Sequence, residues 1–396
     1  MIKTVGELCC GCGACSCICP KGCIRMGKND EGFLYPTVQE DKCVHCGLCR
    51  KSCPVLRESR AAEGGEADQI PKAWGGTATD DRIVSLSSSG GIFTLLAEAV
   101  LKNNGIVYGA AFTDDNKSVE HIRVEDSEGV ARLRGAKYLQ SDTAGSYDKV
   151  KEDLLNGTTV LFSGTPCQIA GLKGYLGQDY DNLITVDIIC HGVPSPLVWE
   201  EYLQHITGGK TVRKVSFRAK DNGWKNNNVK VEYEGGVYQQ TNTEDTYMKY
   251  FLKNYCLRES CYKCTVKEKG YLSDITIGDF WGVEKAAPQL DNDRGVSLVL
   301  LRTGKGERLI QQIWEQVDGQ QVDYNSATVN NPCVYCSVAR PAERDRFFDD
   351  LRSKSWTAVK KKYVGEKISE RIKNILSRTI AWKILRKGLV IVGLRK

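Results

Sequence analysis

The sequence predicts a protein of the α+β or α/β class, built from a small cysteine-rich module, a mixed-sheet domain and a basic helical tail. Three observations support this prediction. Of the 18 cysteines, 11 lie in the first 53 residues. From residue 72 onward, apolar runs of strand length alternate with amphipathic helical segments. The last 46 residues hold 14 Lys or Arg and 2 acids. With 396 residues, of which 41% are hydrophobic, the chain can form two or three domains with ordinary cores.

The charge distribution and the N-terminal sequence restrict the partners and the location. Residues 1–350 contain 41 basic and 47 acidic side chains, which argues against nucleic-acid binding and confines any anionic partner to the tail. The first residues lack the apolar stretch of a signal peptide, and no purely apolar run approaches the ~20 residues of a membrane span. We therefore expect a cytoplasmic protein, whose clustered cysteines are metal ligands or catalysts rather than disulfides.

The N-terminal cysteines repeat one motif, C-x2-C-x2-C-x3-C-P, twice. Its three closely spaced thiolates can reach three corners of one iron-sulfur cube, while the next turn carries the fourth cysteine to the other cluster. The expected ligands of the first 4Fe-4S cluster are Cys9, Cys12, Cys15 and Cys53. Those of the second are Cys43, Cys46, Cys49 and Cys19. A pair of zinc sites is the alternative, although zinc does not require the doubled register with proline after each run.

The remaining cysteines of this region, Cys10, Cys17 and Cys23, do not fit the register, and we interpret them as bystanders. Residues 1–57 are thus predicted to form a two-cluster ferredoxin domain. Small and polar residues predict a flexible linker over 58–72.

Residues 73–350 form the next predicted domain. Its periodicity predicts helices over 91–102 and 168–176, and strands over 105–112, 159–162 and 183–189. Glycines between 212 and 238 predict antiparallel strands and hairpins there. This pattern indicates a parallel or mixed sheet with helices packed on it.

Two segments of this domain begin predicted helices and could bind ligands. In 87–91, Ser-Ser-Ser-Gly-Gly, free N–H groups and small side chains suit a phosphate, with an ordinary serine N-cap as the alternative. In 164–168, Gly-Thr-Pro-Cys-Gln, Thr165 and Gln168 form a predicted capping box. Cys167 then lies in the first turn, where the helix dipole is expected to stabilise a thiolate.

Further cysteines could complete a third site. Cys190 follows the next predicted strand, and in a parallel sheet it would emerge at the same edge as Cys167. Cys261 and Cys264 supply a C-x2-C pair, with Cys256 as the rival fourth ligand and zinc as the rival metal.

Two other features of this domain allow competing interpretations. No second cysteine pair remains that could complete a four-cysteine site with Cys333 and Cys336, so we expect both to be free thiols. His191 is either a proton donor beside a reduced cofactor or a hydrogen-bonded structural residue.

At these residues the sequence resembles the flavin- and iron-sulfur-containing beta subunits of coenzyme F420 hydrogenases and dehydrogenases, in the version fused to an N-terminal two-cluster ferredoxin. The resemblance covers residues 1 to about 350. Its motifs are Ser-Ser-Gly-Gly-Ile (88–92), Gly-Ala-Lys-Tyr-Leu-Gln-Ser (135–141), Gly-Thr-Pro-Cys-Gln (164–168), Ile-Cys-His-Gly-Val-Pro (189–194), Ser-Cys-Tyr-Lys-Cys (260–264) and Ser-Asp-Ile-Thr-Ile-Gly-Asp-Phe-Trp-Gly (273–282).

The resemblance implies a mixed-sheet flavin-binding domain after the ferredoxin module, and three 4Fe-4S clusters and one FAD in all. It makes the third cluster's ligands Cys167, Cys190, Cys261 and Cys264. The residues it places around FAD are Ser88, Ser89, Gly90, Gly91, Lys137 and Thr165. Lys137 would supply a positive charge that stabilises the anionic reduced flavin. Substrates differ within the family, so the resemblance does not fix the reaction.

The tail, residues 351–396, is predicted to contain a basic amphipathic helix. Its apolar stripe is Ile368, Ile372, Ile375, Leu376 and Ile380. Such a helix could rest on the anionic inner face of a membrane or on an acidic partner, or pack on its own acidic body.

Together these features predict an FAD-dependent iron-sulfur oxidoreductase. It would pass electrons between ferredoxin-type 4Fe-4S clusters and FAD. It would thereby reduce or oxidise a small molecule, either deazaflavin-like or of another kind. The alternative is an electron-relay subunit of a larger redox complex. The expected partner is a ferredoxin-like electron donor or acceptor protein, or a partner redox subunit.

Overall fold

The computed structural model describes residues 2–57, 70–143 and 145–365. The chain divides into two compact units, Met1–Arg344 and Asp345–Lys396. Most of the predicted linker and all of the tail's apolar stripe lie outside the described residues.

The N-terminal module is a two-stranded antiparallel sheet with two one-turn helices. Its elements are β1 (Ile24–Lys28), β2 (Leu34–Val38), α1 (Ala14–Cys17) and α2 (Leu48–Lys51). Each one-turn helix follows a glycine in the left-handed conformation, Gly13 at φ 75° and Gly47 at φ 78°. Because only glycine adopts this φ at little cost, it lets the chain turn sharply between the second and third cysteines of each run.

A nine-stranded mixed sheet forms the core of the first unit, in the order β14-β3-β13-β12-β8-β7-β4-β5-β6. Its strands are β3 (Lys72–Ala78), β4 (Ile106–Phe112), β5 (Val119–Val124), β6 (Ser141–Asp142), β7 (Val160–Gly164), β8 (Leu183–Ile188), β12 (Ile275–Asp279), β13 (Ser297–Leu301) and β14 (Val317–Val322). The central strands β4, β7, β8 and β12 run parallel, and the flanking pairs β4–β5 and β12–β13 are antiparallel. A smaller antiparallel sheet contains β9 (Val212–Ala219), β10 (Asn228–Tyr233) and β11 (Gly236–Thr241).

The helices of the first unit are mostly short. They are α3 (Asp81–Leu86), α4 (Ile92–Lys102), α5 (Ser127–Leu133), α6 (Ser146–Leu155), α7 (Pro166–Leu176), α8 (Pro196–Thr207), α9 (Thr246–Leu252), α10 (Thr265–Lys269), α11 (Val283–Ala286), α12 (Gly304–Ile313) and α13 (Tyr324–Thr328). Short 3-10 helices cover Ile2–Leu8, Glu40–Lys42, Glu259–Lys263, Pro288–Leu290, Trp314–Gln316 and Pro332–Val334.

Alternate residues of the central strands face two separate cores. Leu161 packs in one core with α4 and α12, while its neighbours Val160 and Phe162 pack in the other with α6 and α7. This period of two is what a sheet covered on both faces requires. The second core also contains Cys12 and Ala14 of the N-terminal module, so the module packs directly against α7.

The described part of the second unit consists of helices. These are α14 (Arg344–Ser353), which begins at the last residue of the first unit, and α15 (Trp356–Tyr363). Asp350 accepts hydrogen bonds from Lys362 and from the Tyr363 hydroxyl, which join the two helices. No helix among the described residues is long and apolar enough to span a membrane.

Candidate cofactor sites

The first four predicted ligands gather in the interior, and we call them the inner cluster site: Cys9, Cys12, Cys15 and Cys53. All four are buried, with 7–9% of their surface exposed. Burial raises the pKa of Cys15 to about 12 and also raises that of Cys53. Thiolates in such poorly solvated positions need positive charge close by, which the irons of a cluster supply, so this donor set fits the predicted cluster.

The second set, the outer cluster site, lies at the surface: Cys19, Cys43, Cys46 and Cys49. Cys46 is exposed and the other three are half-buried. The four line a cavity of about 140 Å³ together with Cys23, whose Sγ lies 3.3 Å from that of Cys19. Two large apolar side chains of the same loop, Val44 and Leu48, are 57% and 37% exposed.

Helix α7 holds the inner cluster site against the core through glycines. A Cβ at Gly171 would lie 2.8 Å from the Cys12 Sγ, and one at Gly174 would lie 2.2 Å from the Ser52 carbonyl oxygen. The Thr143 hydroxyl adds a hydrogen bond of 2.8 Å to the Cys12 carbonyl. The module therefore approaches the core more closely than any side chain on this face of α7 would allow.

Arg258 connects the module to the core from the other side. Its guanidinium is 1% exposed, donates to the carbonyls of Cys9 (2.6 Å) and Leu34 (2.9 Å), and lies 4.1 Å from the centre of the Tyr35 ring. Its Nη1 has no partner among the described residues. A buried positive charge held only by carbonyls is favoured by an anion nearby, and a cluster bound by four thiolates is anionic.

The third predicted site forms where parallel strands end. Cys167 follows β7 and Cys190 follows its parallel neighbour β8, so both reach the same sheet edge. Cys261 and Cys264 lie on and after the 3-10 helix Glu259–Lys263. All four predicted ligands line one cavity of about 40 Å³. The rival ligand Cys256 is fully buried and does not line it.

The electrostatics of this third site differ from the expectation for Cys167. The capping box of Thr165 and Gln168 is present as predicted. However, the adjacent Cys10 thiol and burial raise the pKa of Cys167 well above its ordinary value. The predicted stabilisation of a thiolate by the helix dipole is therefore wrong for the metal-free thiol, because the neighbouring thiol and desolvation outweigh the dipole.

Cys10 connects the inner cluster site with the third site. The Cys12 thiol raises the pKa of Cys10 well above its ordinary value, and Cys10 also contacts Cys167. Cys10 thus lies between two predicted ligands, and its interpretation as a bystander stays a prediction. Nothing in the cysteine spacing indicates this position, because the contact depends on how the module packs on α7.

Within the described residues, no three or more Cys, His, Asp or Glu side chains lie close enough together to hold a single metal ion.

A cavity of about 310 Å³ lies beside the third site. Five of the six residues predicted around FAD line it: Ser88, Ser89, Gly91, Lys137 and Thr165. The sixth, Gly90, does not, because its N–H donates to the Ser297 hydroxyl and a Cβ there would lie 2.4 Å from the Gly76 carbonyl. Gly90 thus permits close packing of the backbone.

Lys137 is half-buried at the wall of this cavity. Its ammonium donates to the carbonyls of Leu133 (2.7 Å), Arg134 (2.8 Å) and Gly135 (3.2 Å). Burial lowers the pKa of Lys137 to about 7. Lys137 therefore carries the full positive charge expected from the sequence only below neutral pH or when an anion is bound beside it.

Arg218 is a second cation at this wall, and the sequence analysis did not identify it. It pairs with Asp279 at 2.5 Å and is 7% exposed. Its Nε and Nη2 are buried without a partner among the described residues. Two unused donors on a buried arginine fit an anionic ligand such as FAD. Asp279 lies in the recognised Gly-Asp-Phe-Trp-Gly motif, but no sequence signal marks Arg218.

His191 lies at the third site rather than at the cavity of about 310 Å³. Its Nε2 donates to Asn254 Oδ1 at 2.7 Å, and its Nδ1 lies 3.6 Å from the Cys333 Sγ. Burial lowers its pKa. The geometry thus places His191 away from the predicted flavin pocket.

The fold and these cysteine sites define an iron-sulfur electron-transfer protein. Residues 8–56 match the 4Fe-4S dicluster domain. Residues 157–324 match the family described as the C terminus of the coenzyme F420 hydrogenase/dehydrogenase beta subunit. Along the chain, a match to the 4Fe-4S dicluster domain is thus followed by a region similar to the C-terminal part of this beta-subunit family, as the resemblance predicted.

Two curated proteins are similar to this chain. The F subunit of the F(420)H(2) dehydrogenase of Methanosarcina mazei is 24% identical over 173 residues, which is 41% of this chain and 46% of that protein. The match therefore spans less than half of that relative's length. An uncharacterised protein of Methanocaldococcus jannaschii is 26% identical over 329 residues, 76% of this chain and 84% of that one.

A solved structure is also similar. It is a chain of the F420-reducing nickel-iron hydrogenase complex from Methanosarcina barkeri, with a TM-score of 0.45 and 19% identity over 65% of this chain and 84% of that chain.

Proposed function

We propose that the protein is an FAD-dependent oxidoreductase with three 4Fe-4S clusters. In this proposal electrons pass between the outer cluster site and FAD, which reduces or oxidises a small molecule. The observation that supports it best is that Cys167, a predicted ligand of the third cluster, lines both the third site and the cavity of about 310 Å³. A flavin in this cavity would therefore lie directly beside the cluster that serves it.

In this proposal the three cluster sites and the flavin pocket form one series. The outer and inner sites exchange their fourth cysteines within one module, as the motif requires. Cys12 of the inner site packs on α7, and Cys167 lies in the first turn of the same helix. Cys10 lies between these two thiols and also lines the cavity. These contacts support one path from the protein surface to the proposed flavin pocket.

Bound FAD would convert single-electron steps at the clusters into two-electron chemistry. The chain's own residues would bind and orient it. Arg218 offers two unused donors, and Lys137 adds positive charge when protonated. Thr165, at the start of α7, places its hydroxyl 3.2 Å from the Cys167 Sγ, so a group bound there would be adjacent to the third site.

Coenzyme F420, the deazaflavin that appears in the names of the related proteins, is the first substrate to test.

An alternative function, an electron-relay subunit without its own substrate, is favoured by one observation. Val44 and Leu48 expose apolar surface beside the outer cluster site, as a docking site for a partner redox protein would. A ferredoxin-like donor or a partner subunit would bind there.

We retain a cytoplasmic location as part of the proposal, with contact to the inner membrane face through the tail, which lies outside the described residues.

The test is the iron, zinc and flavin content of anaerobically purified protein, with its visible spectrum before and after dithionite. The proposal predicts close to twelve iron atoms, three cubes of four, and one FAD per chain. It also predicts bleaching on reduction. About eight iron atoms without flavin would contradict the core assignment, and zinc in place of iron would contradict the redox function.

A variant tests the flavin pocket separately. Arg218→Met should lose most of its FAD while keeping its iron, because the unused donors disappear and the cluster ligands remain. Arg213→Met is the matched control, since Arg213 lies on the same strand β9 but is exposed. Equal flavin content in both variants would show that Arg218 does not bind FAD.

A further inference from the structure

A second cysteine pair lies beside the third site. Cys333 lies in the 3-10 helix Pro332–Val334, and Cys336 follows two residues after its end. The Cys336 N–H donates to the Pro332 carbonyl at 2.9 Å, and the Val334 N–H donates to the Asn331 carbonyl at 2.9 Å. Residues three apart in such a turn lie on the same face.

The spacing of the two cysteines in the chain is compatible with a disulfide. In a 3-10 or α-helical turn, Cα atoms three residues apart are separated by about 5–6 Å. A disulfide joins Cα atoms roughly 4.4–6.8 Å apart. The pair can therefore be oxidised or reduced with little movement of the backbone.

The turn is attached to the backbone beside two predicted ligands of the third cluster. Lys267 donates to the carbonyls of both Cys190 (2.7 Å) and Cys336 (3.1 Å). The Cys264 N–H donates to the hydroxyl of Ser337, the next residue after the pair, at 2.8 Å. These bonds hold the turn at a fixed position next to the third site.

The thiols differ in what they contact. Cys336 is exposed, whereas Cys333 is half-buried. His191 contacts Asn254 Oδ1 through Nε2, and its Nδ1 lies 3.6 Å from the Cys333 Sγ. His191 directly follows Cys190 in the chain. Cys333 thus lies beside a residue that lines the third site, and Cys336 is exposed to solvent, as expected of a resolving and an attacking thiol.

We propose that Cys333 and Cys336 form a redox-active dithiol that carries electrons from the third cluster to an external disulfide. This rests on the proposed function, which supplies the electrons. The Cys333–Cys336 disulfide bond breaks as it accepts two electrons, delivered one at a time from reduced clusters, and two protons from solvent, giving two thiols.

The reduced pair then acts on the substrate disulfide. The Cys336 thiolate attacks one substrate sulfur and releases the first substrate thiol. Cys333 breaks the resulting mixed disulfide, releases the second substrate thiol and restores the internal disulfide. Each cycle oxidises two clusters by one electron each and reduces one external disulfide to two thiols.

The first test is whether the pair forms a disulfide in the holoprotein. Oxidised glutathione should link Cys333 to Cys336, which alkylation and peptide mass spectrometry detect as the loss of two modifiable thiols from one peptide. Recovery of both thiols after dithionite reduction is also expected. Absence of this disulfide would overturn the proposal. If the Cys333–Cys336 disulfide forms but the protein lacks iron, the proposed function is wrong although the two cysteines can form a disulfide.

The second test couples the pair to the clusters. Holoprotein is reduced, freed of excess reductant and mixed anaerobically with oxidised glutathione or with insulin, and the return of the cluster absorbance is recorded. Cys336→Ser and Cys333→Ser should each slow cluster reoxidation by tenfold or more, with unchanged iron content. Cys17→Ser, which alters a cysteine outside every predicted ligand set, is the control and should match the wild type. Equal reoxidation in all four proteins would overturn the proposal. Cluster reoxidation by oxidised glutathione alone would identify the substrate as a small disulfide, and reoxidation by insulin alone would identify it as a protein disulfide.

Discussion

The inner and outer cluster sites share one motif but have different environments. Each takes its first three cysteines from one copy of the run C-x2-C-x2-C-x3-C-P, with a left-handed glycine and a one-turn helix. The inner ligands are 7–9% exposed, whereas the outer site includes the exposed Cys46. The local sequence therefore builds both sites in the same way, and the surroundings give them different roles.

The difference comes from what packs against each site. Helix α7 offers Gly171 and Gly174 to the inner site, and Arg258 places a buried cation beside it. The outer site has solvent and the exposed side chains of Val44 and Leu48. Solvent exposure, nearby charge and hydrogen bonds set cluster potentials, so the two clusters are expected to differ in potential as well as in access.

The largest effect is expected at the inner site. Cys12→Ala should remove one cluster, lower thermal stability and slow electron transfer from an external donor to the flavin by roughly 100-fold, since metal binding is part of the folding energy and Cys12 packs on α7. Iron analysis, a melting curve and stopped-flow absorbance measure the three effects. Cys17→Ala is the control and should keep its full iron content. An unchanged rate in Cys12→Ala would remove the inner site from the path.

The matching change at the outer site should affect exchange with the donor more than stability. Cys46→Ala also removes a ligand, but Cys46 is exposed and supports no core packing. We expect loss of about four iron atoms and a melting temperature within a few degrees of the wild type. A collapse as severe as that of Cys12→Ala would show that the two sites are not distinguished by burial.

The glycines of α7 test the contact that creates the difference. Gly174→Ala places a Cβ 2.2 Å from the Ser52 carbonyl, so we expect it to cost about 1–3 kcal/mol in the free energy of unfolding. The control is Gly27→Ala, whose Cβ would meet its nearest neighbour at 3.9 Å. Chemical denaturation of both variants measures the effect. Equal stabilities would mean that the module does not depend on close approach to α7.

The smallest predicted effect concerns pH. Burial lowers the pKa of Lys137 to about 7, so its charge disappears as the pH rises through neutrality, and a bound anion shifts this loss to higher pH. FAD affinity, measured by fluorescence, should therefore fall severalfold between about pH 6 and pH 9. Lys137→Met should bind FAD more weakly at pH 6 and show little of this dependence. The same pH dependence in wild type and variant would assign it to another group.

Much of the fold follows from local patterns. Apolar runs of strand length predicted β4, β7 and β8, and the Thr165–Gln168 capping box correctly located the start of α7. Since β7 and β8 run parallel, the meeting of Cys167 and Cys190 at one edge was also predictable. The cysteine register likewise predicted the dicluster domain, because that spacing has few other chemical uses.

Other features depend on contacts between distant segments, which local patterns do not reveal. Cys10 lies between two sites only because the module packs on α7, and Arg218 reaches the cavity from the smaller sheet. The position of Cys333 beside His191 is of the same kind. The lowered pKa of Lys137 depends on burial, which the residue type alone does not predict.

The central claim is that electrons pass between the surface and the flavin through the outer and then the inner cluster. The most direct test is stopped-flow reduction of the bound flavin by a reduced 4Fe-4S ferredoxin, comparing wild type with Cys46→Ala. The account predicts that flavin reduction slows by roughly tenfold or more in the variant, while its FAD content is unchanged. Flavin reduction at the wild-type rate without the outer cluster would contradict the account.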